Sequence, residues 1–157
     1  MKLKINYLVI PISVFLVSFL GGLVTGNNMD WYRTLSLPPI APPGGFIGLV
    51  WTIIFILSAV SLLAFWNREK DQQTKTALAG LFVINGLFNI FWSVVFFGWH
   101  LIGWSIAEMI VLNLFNLIII IWLWQKNHKF SSILLWPYFA WVGFATYLAY
   151  SIWSLNK

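Results

Sequence analysis

The sequence predicts an all-α integral membrane protein, built as a bundle of five transmembrane helices. Of the 157 residues, 61% are hydrophobic and only 8% are charged, and the mean hydropathy is +0.86; a soluble domain carries about 25% charged residues. Five long stretches are almost free of charged side chains, and a spanning helix needs about 20 mostly apolar residues. Strands of a membrane β-barrel alternate over about ten residues, and the apolar runs Phe91–Phe97 and Ile118–Ile121 do not alternate.

The helices are predicted within one domain covering residues 1–157, at about residues 5–26, 45–66, 77–98, 104–125 and 132–155. Lys2 and Lys4 precede the first apolar stretch, as in a signal peptide. That stretch is too long and lacks an Ala-x-Ala type cleavage site, so we expect a retained helix. Pro11 and Pro137 lie within predicted spans, where each removes a backbone hydrogen bond and is expected to kink its helix.

The predicted loop at residues 27–44 is the most unusual connection, because it contains Pro38, Pro39, Pro42 and Pro43 within six positions. Proline fixes φ and lacks an amide donor, which favours a stiff, extended path. From the residues alone, this loop is either a lid over the helix bundle or a plain connector. The remaining connections are predicted at residues 67–76, 99–103 and 126–131.

Lys and Arg residues are distributed unevenly between the two ends of the predicted helices. The N-terminal side has seven: Lys2, Lys4, Arg68, Lys70, Lys75, Lys126 and Lys129. The opposite side has two, Arg33 and Lys157. Because basic loops remain in the cytoplasm, we expect a cytoplasmic N-terminus in a bacterial cell membrane, with the first loop and the C-terminus outside. The net charge of +5 thus reflects topology, and no basic face with interleaved aromatic residues indicates nucleic-acid binding.

Polar residues within the spans are candidates for a site. Asn85, Asn89 and Trp92 are spaced i, i+4 and i+7, so they share one face of the third predicted helix. This face fits a ligand site and an interhelical hydrogen-bonded link equally well. For Asn113 and Asn116 on the fourth predicted helix, an interhelical hydrogen-bonded link is the favoured interpretation.

Eleven Trp residues also need an explanation. Those near helix ends fit the interfacial aromatic belt: Trp66, Trp99, Trp104, Trp122, Trp124 and Trp153. Trp51, Trp92 and Trp141 lie deeper, and Trp51 shares a helix face with Phe55. The deeper rings form either an aromatic wall for a flat ligand or packing between helices.

Residues typical of conventional catalysis are scarce. The chain has no Cys and no nucleotide-binding or metal-binding motif, so we predict no metal, no cofactor and no conventional enzyme. Glu108, the only acidic residue within a span, is expected to reach the interface or to accept nearby hydrogen bonds. His100 and His128 fall in predicted loops, where we expect them to be solvated.

Three motifs resemble the TspO/MBR family of tryptophan-rich sensory proteins and mitochondrial translocator proteins. The first is Trp31-Tyr32-x-x-Leu35-x-x-Pro38 with Pro42-Pro43 and Val50-Trp51. The second is Asn89-x-x-Trp92-Ser93-x-x-Phe96-Phe97. The third is Pro137-Tyr138-x-x-Trp141-x-x-Phe144-Ala145-Thr146-x-Leu148. They occur in order over nearly the whole chain, which makes the resemblance specific.

The resemblance implies a single TspO/MBR-like membrane domain, often dimeric, with a ligand pocket under the first loop. Members bind porphyrins and haem-type tetrapyrroles, isoquinoline carboxamide and benzodiazepine-type drugs and, in animals, cholesterol. The ligand-binding residues that it implies here are Tyr32, Pro42, Trp51, Phe55, Asn89, Trp92, Trp141 and Ala145. Secondary candidates are Ile47, Asn85 and Leu148.

The sequence departs from the family pattern at several positions. Leu37 and Ile40 stand where the family often has Lys and Trp, and Ala149 replaces an Asn. Leu148-x-Tyr150 is followed by Lys157 only after six residues, which is too far for the proposed cholesterol pattern. We therefore do not predict cholesterol as the physiological ligand.

Three functions follow as hypotheses. The first is a membrane receptor or carrier for flat hydrophobic ligands, chiefly tetrapyrroles. The second is light- and oxygen-dependent porphyrin breakdown, with Trp51 and Trp141 as electron donors or radical traps. The third is a scaffold or stress regulator without ligand chemistry, for which Ala79, Gly80 and Gly86 would permit close packing in a homodimer.

Overall fold

The computed structural model describes residues 4–157, so Lys2, which contributes to the predicted orientation, lies outside the described part. The helices are α1 (Asn6–Asn27), α2 (Met29–Arg33), α3 (Gly44–Arg68), α4 (Gln72–Ser93), α5 (Ile102–Gln125), α6 (Lys129–Ile133) and α7 (Trp136–Leu155). A π-helical turn at Val94–Gly98 continues α4. No β-strand occurs between residues 4 and 157.

Five segments of the described chain are long and apolar enough to cross a membrane, which confirms the predicted fold class. They are Asn6–Asn27, Gly44–Arg68, Gln72–Gly98, Ile102–Gln125 and Lys129–Leu155. The shortest has 22 residues, or about 33 Å at 1.5 Å per residue, and the hydrocarbon core is about 30 Å thick.

The third span begins at Gln72, five residues before the predicted start at residue 77. Asp71 is its N-cap, and the carboxylate accepts a hydrogen bond of 2.7 Å from the backbone N–H of Thr74. Such a cap satisfies one of the free N–H groups at a helix start. Residues 72–76, whose polarity predicted a loop, therefore form the start of α4.

Pro137 does not kink a continuous helix, contrary to the prediction. The last span is divided into α6 and α7, and Pro137 lies in the first turn of α7. The missing N–H of proline breaks no intrahelical hydrogen bond at that position. Pro11, in contrast, lies inside α1.

The predicted loop at residues 27–44 contains the short helix α2. The helix includes Trp31 and Tyr32, which pack against a buried cluster containing Ile54, Met109 and Val142. A second buried cluster lies in the opposite half of the bundle and includes Phe65, Leu78 and Ile119. The two clusters divide the interior into a half beneath α2 and a half beneath the α3–α4 loop.

Helix α1 packs against both α3 and α4, although these two neighbours in sequence contact each other little. Gly86 allows the close approach of α1, because a Cβ atom there would lie 2.9 Å from Cγ2 of Val17. Gly86 therefore serves packing within the chain rather than the predicted dimer surface. Gly80 has open space around it.

Asn85 and Asn116 form the interhelical link that the sequence left open. The Asn85 side-chain nitrogen donates to the Asn116 side-chain oxygen at 2.9 Å, and both residues are buried. The link prediction is confirmed for Asn116. It is wrong for Asn113, whose side-chain oxygen has no hydrogen-bond partner among the described residues.

Candidate ligand-binding site

Helix α2 lies over one end of the bundle and is held there by aromatic contacts. The ring of Tyr32 lies 5.6 Å from that of Phe97, and Trp31 meets Phe96 edge-on at 5.8 Å. Trp31 also stacks on His100 with ring centroids 4.0 Å apart. His100 is exposed, as expected for a loop residue, and one face of its ring is packed on this indole. Burial raises the pKa of Tyr32, so its phenol stays a hydrogen-bond donor further into the alkaline range than an exposed tyrosine does.

The segment Thr34–Pro43, here called the strap, connects α2 to α3. Asn156 fixes the strap to the end of α7: the Ser36 N–H donates to the Asn156 side-chain oxygen at 2.9 Å. The Asn156 side-chain nitrogen donates to the backbone oxygens of Ser36 at 2.9 Å and Ile152 at 2.7 Å. Pro38 in the strap is buried. The strap is thus tied across the bundle rather than looping away from it.

A cavity of about 420 Å³ lies beneath α2, here called the capped cavity. Small-molecule pockets typically measure about 300–1,000 Å³. Helices α1, α2, α3, α4 and α7 contribute to its wall, and none of its described lining residues carries a formal charge. The aromatic lining consists of Tyr32, Trp51, Phe55, Trp92, Phe96, Phe97 and Trp141.

The structure brings together most of the residues singled out from the sequence. The capped cavity is lined by Tyr32, Ile47, Trp51, Phe55, Asn89, Trp92, Trp141, Ala145 and Leu148. Pro42 is not among its lining residues. Asn85 is bonded to Asn116 and lines a different cavity.

The indoles on facing helices form a continuous aromatic wall. Trp51 of α3 lies 6.4 Å from Trp92 of α4 and 5.6 Å from Phe55, measured between ring centroids. Trp92 stacks on Phe96 at 5.5 Å. Offset aromatic contacts prefer centroid separations of about 4.5–7 Å. These rings support one another and present rigid faces to the cavity.

Two hydrogen-bond donors in this wall have no partner. The indole nitrogens Nε1 of Trp92 and Trp141 are buried and make no hydrogen bond within the described chain. A buried donor without a partner costs about 1–3 kcal/mol. An acceptor atom within hydrogen-bond reach of these nitrogens would relieve that cost.

A thin floor separates the capped cavity from a second cavity in the other half of the bundle. The Asn89 side-chain nitrogen donates to the Tyr138 hydroxyl at 3.1 Å. Asn89 lines the capped cavity, Tyr138 lines the second cavity, and Phe55 lines both. The hydrogen bond and this ring therefore form part of the floor.

Helix α1 supplies a wall that sequence reasoning did not include. Its lining residues are small: Ser18, Gly21, Gly22, Thr25 and Gly26. A Cβ at Gly21 would lie 3.2 Å from the Ser93 hydroxyl of α4, so a larger residue would press on the opposite wall. The recurrence of small residues at i, i+4 and i+8 (Ser18, Gly22 and Gly26) was the available signal.

Glu108 does not line the capped cavity. It is 7% exposed, and neither carboxyl oxygen has a hydrogen-bond partner among the described residues. The expected hydrogen bonds to nearby groups are therefore not present among the described residues, and a position at the interface stays a prediction.

His128, at the opposite end of the bundle, is not simply solvated as expected, because its side chain is only 11% exposed. Its Nε2 lies 3.0 Å from a carboxylate oxygen of Glu69, and its ring meets Phe65 edge-on at 4.8 Å. Hydrogen bonds from the backbone N–H of Asp71, from His128 and from the N–H of Lys70 hold the pKa of Glu69 below its usual value. These contacts join the α3–α4 connection to the start of α6.

Comparison with known proteins gives matches over almost all of the chain. Residues 9–154 match the sequence profile described as the TspO/MBR family. The Tryptophan-rich protein TspO of Archaeoglobus fulgidus is 28% identical over 151 residues, 92% of this chain and 93% of that protein. The Tryptophan-rich protein TspO of Chlorobaculum tepidum is 31% identical, and the match covers 89% of this chain and 89% of that protein. The Homo sapiens Translocator protein is 28% identical over 85% of this chain and 79% of its own.

Proposed function

This chain belongs to the TspO/MBR family, and from that premise we propose that it is a membrane receptor or carrier for flat hydrophobic ligands. Porphyrin- or haem-type tetrapyrroles are the proposed principal ligands, and isoquinoline carboxamide or benzodiazepine-type drugs share the required shape. The supporting observation is an uncharged aromatic cavity beneath α2 with two unpartnered indole N–H groups.

The proposed binding mode follows from the chemistry of the wall. A planar ring system would stack on Trp51 and Trp141, whose large flat faces supply contact area. An acceptor at the edge of the ligand would receive hydrogen bonds from Nε1 of Trp92 and Trp141. Helix α2 and the strap would cover the ligand, which is the lid role expected of residues 27–44.

Titration of the purified protein with protoporphyrin IX, followed by tryptophan fluorescence quenching, tests this function. We expect the Trp51→Ala, Trp141→Ala double variant to bind at least tenfold more weakly. Trp104→Ala is the matched control, because this indole is 72% exposed and lies outside the capped cavity. Unchanged affinity in a folded double variant would contradict the proposal.

Light- and oxygen-dependent porphyrin breakdown is a second candidate function. A series of aromatic rings leads from the cavity to the surface: Trp51 to Trp92 at 6.4 Å, Trp92 to Phe96 at 5.5 Å, Phe96 to Trp31 at 5.8 Å and Trp31 to His100 at 4.0 Å. In such breakdown dioxygen would oxidise the excited porphyrin and supply the oxygen atoms of the products, and the indoles would donate electrons to, or trap, the radicals that form. Illumination of the porphyrin complex tests this, since breakdown no faster than in detergent alone would exclude it.

We also propose that the N-terminus is cytoplasmic and that α2 and the strap face outward. The support is the count of seven Lys and Arg residues on one side against two on the other. Reporter fusions after Lys157 and within the α3–α4 connection test the orientation. A cytoplasmic C-terminus would contradict it.

A homodimer is proposed on the family resemblance. The space beside Gly80 is open, so this residue remains available for close packing between chains. The space beside Gly86 is already filled by the side chain of Val17. Cross-linking in native membranes that yields only monomer would contradict the dimer.

A further inference from the structure

The second cavity, here called the α1 cavity, is larger than the capped cavity and has no part in the proposed function. It has a volume of about 550 Å³ and extends from Lys4, before the start of α1, to Asn85 and Asn116. It exists because α1 packs against both α3 and α4 while these two helices contact each other little. The cavity therefore belongs to the arrangement of the helices rather than to a single side chain.

The wall of the α1 cavity differs chemically from that of the capped cavity. Aliphatic side chains such as Val9, Val14, Leu62 and Ile119 form most of it. The aromatic rings among its described lining residues are one indole, Trp66, and the smaller rings of Phe55, Phe82 and Tyr138. Branched aliphatic walls lack the flat faces on which a ring system stacks. This cavity fits an aliphatic chain better than a planar aromatic ligand.

Two buried polar groups in this wall have no partner. Ser58 Oγ and Asn116 Nδ2 make no hydrogen bond within residues 4–157, and the two residues are 7% and 2% exposed. The oxygen of Asn116 is used by Asn85, which leaves the Asn116 N–H groups as donors. Both unpartnered groups can donate to a ligand oxygen.

The α1 cavity opens sideways toward the bilayer. Its rim includes Leu16, Val83 and Leu87, which are 48%, 61% and 60% exposed. All three lie within membrane-spanning segments, so the opening faces hydrocarbon. An occupant would therefore come from the membrane.

We propose that the α1 cavity binds a neutral, single-chain aliphatic molecule with one oxygen, such as a long-chain alcohol. The oxygen accepts hydrogen bonds from Ser58 and Asn116 near the middle of the bundle, and the chain runs along α1 toward Trp66. Eight residues separate Ser58 from Trp66 on α3, about 12 Å along the helix. A chain of about eleven carbons spans that distance.

A fatty acid is the less favoured occupant. Its carboxylate would pair with Lys4 at the end of the cavity, and its tail would leave Ser58 and Asn116 without partners. The two occupants place their oxygen atoms at opposite ends, so experiment separates them.

The probe is 11-bromoundecan-1-ol, whose bromine quenches a nearby indole. In the proposed orientation the bromine lies beside Trp66, so the alcohol quenches wild-type protein more than the Trp66→Phe variant. The difference in quenching between these two proteins gives the contribution of Trp66 alone. It removes the contributions of the other indoles and of alcohol that partitions nonspecifically into detergent.

Ser58→Ala and Ser61→Ala form a matched pair on one face of α3. We expect Ser58→Ala to weaken binding of the alcohol about three- to tenfold without lowering the melting temperature, because Ser58 Oγ has no partner. Ser61 Oγ donates to the Ser131 carbonyl at 2.8 Å, so Ser61→Ala lowers the melting temperature and leaves the affinity unchanged.

Three results would overturn the proposal. One is the absence of Trp66-dependent quenching by the alcohol. Another is equal binding of 1-bromoundecane, which has no oxygen. The third is tighter binding of 11-bromoundecanoate that is lost in Lys4→Ala. Protoporphyrin titration of Ser58→Ala is expected to match wild type, so each proposal succeeds or fails separately.

Discussion

Asn156 and Ser36 are 120 positions apart in the sequence and are joined by two hydrogen bonds of 2.9 Å each. The side-chain amide of Asn156 pairs with the backbone N–H and C=O of Ser36, as a neighbouring strand would. One side chain at the end of α7 thereby holds the middle of the strap that covers the capped cavity.

Replacing Asn156 with Ala is expected to loosen the strap and accelerate release of a ligand from the capped cavity. Of the three hydrogen bonds that the substitution removes, the two to the strap are worth about 1–2 kcal/mol, which corresponds to an increase of about five- to thirtyfold in the dissociation rate. The third, to Ile152, lies within the end of α7. Stopped-flow displacement of protoporphyrin measures this rate. Ser154→Ala, at the same end of α7, is the control, because the Ser154 hydroxyl donates to the backbone oxygen of Ser151 and not to the strap. Equal rates in Asn156→Ala and wild type would show that the strap does not retain the ligand.

Replacing Trp141 with Phe removes an N–H donor and retains an aromatic ring. Since Nε1 of Trp141 has no protein partner, this variant loses no internal hydrogen bond. Affinity for a ligand with an acceptor group is expected to fall about three- to tenfold. Fluorescence titration of Trp141→Phe beside Trp104→Phe checks this, and an equal loss in both variants would point to a nonspecific effect.

Gly86 and Gly80 are expected to respond in opposite directions to substitution by Ala. At Gly86 the new methyl group would lie 2.9 Å from Val17 Cγ2, and the β-branched Val17 has little rotamer freedom in a helix, so overpacking costs about 1–3 kcal/mol. At Gly80 the space is open, and Ala favours a helix by about 1 kcal/mol. Thermal unfolding in detergent of the two variants measures the difference; equal stability would contradict the close α1–α4 contact.

Asn85 and Asn89 lie one turn apart on α4 but are expected to give different phenotypes. Asn85→Ala removes the bond to Asn116, which costs about 0.6–2 kcal/mol of stability in a membrane protein, without weakening porphyrin binding. Asn89→Ala alters the wall of the capped cavity and frees the Tyr138 hydroxyl, so it lowers both affinity and stability. Paired titration and thermal unfolding test this; weaker porphyrin binding in Asn85→Ala would place Asn85 at the site after all.

The stability of the protein is expected to decrease at acidic pH through Glu69. Its folded-state pKa is lowered, chiefly by the backbone N–H of Asp71 and also by His128. Its contribution to stability is therefore present above the unfolded-state pKa, about 4.3, and is lost as the pH falls through the lower folded-state pKa. The melting temperature of Glu69→Gln should lie below that of wild type at pH 7 and decline less on acidification.

Asp71 accounts for the dependence on pH that remains in Glu69→Gln. Hydrogen bonds from Thr74 at the start of α4 lower its pKa as well. Melting curves of Glu69→Gln that parallel those of wild type at every pH would contradict the role of Glu69.

Much of the fold was predictable because lipid leaves few alternatives to helices of a fixed minimum length. The errors occurred where local geometry outweighed composition. Asp71 caps α4 within a stretch that hydropathy marks as a loop, and Pro137 begins a helix that hydropathy extends through it. Caps and helix starts depend on individual hydrogen bonds, which an average over 20 residues does not register.

The capped cavity was predictable for the large residues and not for the small ones. Trp51, Trp92 and Trp141 were identified by helical spacing and family motif, and all three line it. Gly21 and Gly22 contribute by the absence of a side chain, and the only mark of this wall in the sequence was the helical recurrence of small residues on α1. The pairing of Asn156 with Ser36 joins distant parts of the chain and was invisible to any local periodicity.

The π-helical turn at Val94–Gly98 brings three successive side chains to the interior of the protein. Each residue of an ordinary α-helix advances by about 100°, so three successive side chains cannot all face the interior. The wider turn lets Val95, Phe96 and Phe97 do so. Deleting one residue from this turn would convert it to ordinary α-helix with nearly the same rotation and rise, so the flanking helix would keep its phase while Val95, Phe96 and Phe97 could no longer all face the interior. The number of residues in this segment thus decides how many side chains reach the interior, as much as the identity of its aromatic rings does.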